Sequence, residues 1–221
     1  MSKQFWIALA IIAAILIGIV FVTNHNKPTT TASGKPTSHV EGTSPENVTL
    51  VEYGDYECPV CETFYPTVKQ VAAKYSNQIV FQFRNLPLTS IHPNAFAGAR
   101  AAEAAGLQGK YWEMHDILYE NQNSWVSSSQ PLSVFDTYAQ SLSLNVSQFD
   151  KDYASEAVND AINSDLSAFD ATGDDKATPT FYLDGKKLDN TQLINSSNQP
   201  TIDAFSKVID AELAKKASSK Q

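Results

Sequence analysis

Two side chains stand out as equipped for covalent exchange chemistry: Cys58 and Cys61, the only cysteines among 221 residues. Their C-x-x-C spacing is compatible with three chemistries. A redox pair would form and break disulfides through thiolate attack and a mixed-disulfide intermediate. A structural zinc site needs about four ligands. The chain has no further cysteine, and His92 and His115 do not stand at ligand-like spacing. A static cross-link gains little, because closing so short a loop removes little chain entropy. The redox reading is the strongest of the three.

The flanking residues say how the pair is held. Val48 to Tyr53 alternates β-branched and apolar positions, the pattern of a buried strand. After the cysteines, Phe64, Tyr65, Val68, Val71, Ala72 and Tyr75 recur at three- and four-residue intervals and share one helix face. Strand, C-x-x-C and helix in that order put Cys58 at a helix start. There, unpaired N–H groups and the helix dipole stabilise an anion. Pro59 sets φ for the first turn. Cys61 lies one turn further in and is expected to be the more shielded sulfur.

Three further features belong with this pair: Glu52 six residues before Cys58, Pro66 five residues after Cys61, and the distant run Ala177-Thr-Pro-Thr-Phe-Tyr-Leu-Asp-Gly185. Together they resemble the thioredoxin superfamily, and more closely its DsbA-like branch of extracytoplasmic thiol-disulfide oxidoreductases. The resemblance runs from about residue 41 to the C-terminus. It implies an α/β thioredoxin fold with a helical insertion, no metal and no organic cofactor. It also implies that Cys58 is the nucleophile, Cys61 the resolving thiol, Glu52 a semi-buried acid behind the pair and Pro179 a cis-proline facing the sulfurs. Clients would be reduced or unfolded secreted proteins, met by Pro59, Val60 and the backbone of Thr178, which an extended chain can pair with. Recycling would fall to a quinone-linked membrane protein of the DsbB or vitamin-K-epoxide-reductase type.

The direction of exchange is less directly written. Strongly oxidising DsbA-like proteins carry histidine where this chain has Val60, and Glu57 and Glu52 add negative charge that disfavours a thiolate. The expectation is an oxidant milder than those relatives, with a Cys58 pKa still below that of free cysteine. A reductase or isomerase of the same fold, kept reduced by a membrane carrier, is the alternative within the class. A redox-silent holdase is the alternative outside it, and it predicts that Cys58→Ser leaves function intact.

The rest of the chain supplies the frame. A net charge of −8 leaves no basic patch for nucleic acid. Phe5 to Val22 carries no charge. As a helix it spans about 27 Å, enough for a bilayer core. Residues 1–22 are therefore expected to be an uncleaved membrane anchor rather than a cleaved signal peptide, since no small-x-small cleavage site follows, and the family resemblance implies that the catalytic domain is extracytoplasmic. Residues 23–45, rich in Thr, Ser, Pro and Gly, are expected to be a flexible tether reaching on the order of 25 Å, with His25 and His39 solvated. The thioredoxin-like domain then occupies 46–221, interrupted by the insertion over about 91–173. A second strand is expected at Gln78–Asn85. Helices are expected at Asn94–Gly106, around Tyr111–Tyr119, from Pro131, and over Ser155–Ala171. Asp184-Gly185 is a hairpin turn, and a last helix starts at Pro200. His92 and His115 fall in the insertion and are read as hydrogen-bonded packing residues.

Overall fold

The computed structural model of the protein describes residues 36–219. The expected membrane anchor, and the tether as far as residue 35, lie outside the described residues. Among the described residues no helix is long and apolar enough to cross a membrane.

Five strands form one sheet: β1 (His39–Gly42), β2 (Thr49–Gly54), β3 (Val80–Asn85), β4 (Thr180–Leu183) and β5 (Lys186–Lys187), in the order β1-β3-β2-β4-β5. β2 and β3 are parallel, and β1, β4 and β5 pair antiparallel to their neighbours. The parallel pair is joined by helix α1 (Pro59–Lys74), the crossover that parallel strands require. α1 and the C-terminal helix α7 (Ile202–Ser218) are wedded to one core with Leu50, Phe81, Phe83, Phe181 and Leu183 of the sheet. Val51, Tyr53 and Tyr182 point to the other face, where Phe169 and Leu86 join them. Asp184 and Gly185 have φ of 50° and 78°, the left-handed pair that a two-residue hairpin demands. The last helix begins after Thr201, whose side chain accepts from the Ala204 N–H, rather than at Pro200.

Between β3 and β4 the chain builds the expected insertion: α2 (Ala95–Gly106), α3 (Tyr111–Glu120), α4 (Pro131–Ser141), α5 (Val146–Tyr153) and α6 (Glu156–Asp170). α2 buries Ala99, Ala101, Ala102, Ala104 and Ala105, so its neighbours approach closely. At Gly98 an added Cβ would lie 2.9 Å from the Trp125 ring and 3.0 Å from Tyr56 Cβ, which explains the absence of a side chain there. α5 has no counterpart in the sequence-based expectations. It is eight residues long and buries only Phe149, too little to show a period.

The N-terminal boundary differs from the expectation. Residues 39–42 are an edge strand rather than tether, and His39 is not solvated. Its ring stacks on Tyr111 with centroids 3.4 Å apart, and its Nε2 lies 2.9 Å from Glu103 Oε2. Thr37 donates through both its backbone N–H and its hydroxyl to the fully buried Asp165. Val40 is the one apolar side chain in the strand and is 48 % exposed. The segment is held by ladder hydrogen bonds and polar partners, which leave no hydrophobic pattern to read.

One packing contact carries a stability prediction. The carboxyls of Asp136 on α4 and Asp150 on α5 face one another, and each has a buried oxygen without a partner. Burial first, then the neighbouring Asp150, raises the Asp136 pKa. A carboxyl that titrates higher in the fold than in the unfolded chain costs stability as pH rises through the ordinary carboxylate range. Asp136→Asn is therefore expected to raise the melting temperature slightly at neutral pH, because solvent at this partly exposed site screens much of the repulsion. That gain should vanish in acid, where both carboxyls are protonated. Thermal unfolding at the two pH values checks it.

Candidate active site

Cys58 is the N-cap of α1. Its φ of −71° and ψ of 121° are extended, and Pro59 follows as the first helical residue. The Cys58 carbonyl accepts the Glu62 N–H and is also held by the buried Gln122, whose side-chain amide reaches both it (3.1 Å) and the Tyr56 carbonyl (2.9 Å). Cys61 lies one turn further along the same helix. Both cysteines are unbridged. Cys58 is 5 % exposed and Cys61 0 %, so Cys58 is the sulfur a client can reach. Beside them Pro59 and Val60 are exposed, Val60 by 49 %, and offer an apolar rim.

The two thiols are driven apart in acidity. Hydrogen bonding from the Cys61 thiol lowers the Cys58 pKa to about 6, with further help from the Thr178 side chain and the backbone N–H groups of Cys61 and Val60, against the opposing effect of burial. Burial raises the Cys61 pKa well above the ordinary thiol value, and the neighbouring Cys58 adds to it. Division of labour follows: one sulfur is ready as a nucleophile, the other stays protonated until needed.

Behind them, Glu52 sits on β2 with 3 % exposure. Burial, then the charge on Cys58, raises its pKa to about 8. Glu52 lines a cavity of about 20 Å³ shared with Lys69, His115 and Asp116, large enough for about one water. Glu52 can therefore hold a proton near neutrality close to Cys61.

Across the sulfurs lies the loop that enters β4. The Thr178–Pro179 peptide is cis. Cys58 Sγ is 3.5 Å from the Thr178 carbonyl oxygen. All seven residues singled out from the sequence (Cys58, Cys61, Glu52, Pro179, Pro59, Val60 and Thr178) thus come from the C-terminal end of β2, the start of α1 and the entry to β4.

The structure adds residues that the sequence did not mark. Asp55, 1 % exposed, accepts from the Glu57 and Leu88 N–H groups and lies 2.7 Å from His92 Nδ1, fixing the turn that leads into Cys58. His115 Nδ1 is 3.0 Å from the Tyr56 hydroxyl. Burial first, then Lys69 and His39, depresses the His115 pKa to about 3, so the ring stays neutral. Both histidines have partners, as a packing role requires. Gln122 and Asn190 are single polar residues in short turns, and no periodicity flags them. Among the described residues no three His, Cys, Asp or Glu side chains converge as a metal site.

A family profile described as thioredoxin matches residues 34–211. The chain belongs to the thioredoxin family. Among solved structures it is similar to alpha-DsbA1 of Wolbachia pipientis, at a TM-score of 0.67 and 20 % identity over 85 % of this chain and 97 % of that one. It is also similar to BdbD of Bacillus subtilis in its oxidised form, at 0.66 and 22 % over 82 % and 97 %. These likenesses describe the fold: a thioredoxin-family sheet with a helical insertion. The chain keeps both thiols of a C-x-x-C pair at the start of the helix that follows β2 in this fold. A curated relative, Na(+)/H(+) antiporter NhaA 1 of Salinispora arenicola, is 36 % identical over 172 residues, 76 % of this chain and 24 % of the antiporter. The chain thus spans about a quarter of the length of the curated relatives it matches. A match covering that much of the chain necessarily includes the C-x-x-C helix start.

Proposed function

We propose that the protein is an extracytoplasmic dithiol oxidase, tethered to the cell membrane by its N-terminal segment, which introduces disulfides into reduced or unfolded secreted proteins. The reading rests on one observation above others: Cys58 caps the start of α1 while Cys61 is wholly buried one turn further in, an arrangement that lowers the Cys58 pKa to about 6 and raises that of Cys61. Stabilising a thiolate stabilises the reduced enzyme and so makes its disulfide a better oxidant. From a free-thiol value near 8.5 to about 6, at about 30 mV per unit, the shift is worth roughly 75 mV. A client thiolate attacks Cys58 of the Cys58–Cys61 disulfide and Cys61 leaves as the thiolate. A second client thiolate then attacks the mixed disulfide, releasing Cys58 as a thiolate and leaving both electrons on the enzyme pair. Re-oxidation falls to a quinone-linked membrane protein of the DsbB or vitamin-K-epoxide-reductase type. Antiport is ascribed to the long relatives as wholes, and no ion transport is assigned to this chain.

A reductase or isomerase is the second reading, favoured by the uncharged Val60 between the cysteines and by the acidic Glu52 behind them. A glutathione redox titration together with thiolate absorbance against pH tests the proposal. The expected thiolate midpoint is near 6. Since the folded value lies below the free one, thiolate stabilisation of the reduced fold is fully present above about pH 8.5 and is lost as pH falls through about 6. A Cys58 pKa at or above about 8.5 overturns the helix-start activation. A pair found reduced at rest in cells favours the reductase.

A further inference from the structure

Three successive carbonyls in the loop entering β4 are each met by a different side chain. The Ala177 carbonyl accepts from Thr180 Oγ1 (2.6 Å), the Thr178 carbonyl faces Cys58 Sγ (3.5 Å), and the Pro179 carbonyl accepts from Asn190 Nδ2 (2.8 Å). Thr180 is local to the loop and Cys58 is the reacting group. Asn190, which takes no part in the sulfur chemistry, arrives from the short 3-10 turn Asn190–Gln192 between β5 and α7. That turn is itself anchored, since Asp189 accepts from the Thr191 N–H at 2.9 Å and the buried Leu193 sits at its end. Asn190 also lines a cleft of about 450 Å³ with Ala177, Pro179, Leu188 and Lys187. The cleft starts at the proline that faces the sulfurs and offers a path for a client chain paired with Thr178.

We propose that Asn190 is a positioning residue for disulfide exchange: by holding the Pro179 carbonyl it fixes the loop so that Thr178 stays in register with both Cys58 and an extended client. The inference rests on the oxidoreductase reading above. Asn190 touches neither sulfur; it acts through the loop. Losing the amide frees the Pro179 carbonyl to turn, and the adjoining Thr178 backbone, which an extended client would pair with, shifts with it. Binding of the client, rather than sulfur chemistry, should take most of the loss.

The test compares Asn190→Ala and Asn190→Asp, the second keeping the size while removing the donor, with the unaltered protein in oxidation of a reduced two-cysteine peptide. KM is expected to rise about three- to tenfold, the size of one net hydrogen bond, with kcat changed less than twofold. The Cys58 thiolate midpoint is expected to move upward as Thr178 loosens. Asn190→Gln, which retains the amide, should recover part of the KM. Asn190 is partly exposed, so both variants are expected to fold. A fall in melting temperature with KM and thiolate midpoint unchanged overturns the role of Asn190. Failure of the unaltered protein to exchange disulfides at all is a distinct result, which removes the oxidoreductase reading and this inference with it.

Discussion

Cys61→Ala is expected to turn the protein into a trap that accumulates mixed disulfides through Cys58, and Cys58→Ser to abolish exchange altogether. The asymmetry comes from the geometry of α1. Cys58 caps the helix, is the more exposed sulfur and titrates near 6, so it forms the bond to the client whichever way electrons flow. Cys61, fully buried and held protonated, attacks only from within. Removing it leaves the first bond possible and takes away the internal route of escape. Turnover should fall on the order of 10³-fold or more in either variant, as for other knocked-out nucleophiles. Only Cys61→Ala should yield covalent adducts that migrate above the monomer on non-reducing gels and collapse on reduction. Those adducts would name both the clients and the recycling partner. Adducts formed equally by Cys58→Ala would sink the assignment of the attacking sulfur. A holding activity untouched by Cys58→Ser would instead favour a redox-silent chaperone.

The second large effect concerns Glu52 and is one of stability. Its pKa is raised by burial to about 8, whereas in the unfolded chain it ionises near 4.3. Below the lower value both states are protonated and the residue is neutral to stability. Between the two the unfolded chain ionises while the fold cannot, so stability falls by about 1.4 kcal/mol per pH unit. Above about pH 8 the loss levels off at an upper bound of roughly 5 kcal/mol. Glu52→Gln should therefore stabilise the reduced protein by several kcal/mol at mildly alkaline pH and by nothing below about pH 4, as read by denaturant titration at the two extremes. The same substitution should slow resolution of the mixed disulfide, because Cys61 loses the nearby carboxylate that can take its proton. Equal stability of the two proteins across that range would mean that Glu52 is not held protonated by the fold.

Much of this site was legible in the residue order because its parts are local or chemically unusual. The C-x-x-C pair, the strand before it and the amphipathic helix after it lie within one short stretch, and a threonine-proline step entering a strand is rare enough to be noticed at a distance. Glu52 was marked by the family resemblance and not by the strand pattern. Asp55, Gln122 and Asn190 were not marked at all. Each is a lone polar residue in a turn, with no apolar period to give it away, and each matters because the fold carries it to a backbone group outside its own turn. The same reasoning explains β1. Thr37 and His39 are fixed by Asp165 and Glu103, and such pairings leave no trace in local composition.

The reach of Gln122 has a wider consequence. This side chain leaves the helical insertion and grips two carbonyls at the very start of α1, including that of the nucleophile itself. The insertion therefore acts as a brace for the reactive end of the sheet, and not as a detachable lid upon it. A shortened protein retaining only the sheet and its two flanking helices would keep both sulfurs yet lose the strut beneath them. For that reason the placement of the nucleophile's own backbone in this chain is a property of the joined halves, and grafting the four-residue motif onto a smaller scaffold would leave that support behind.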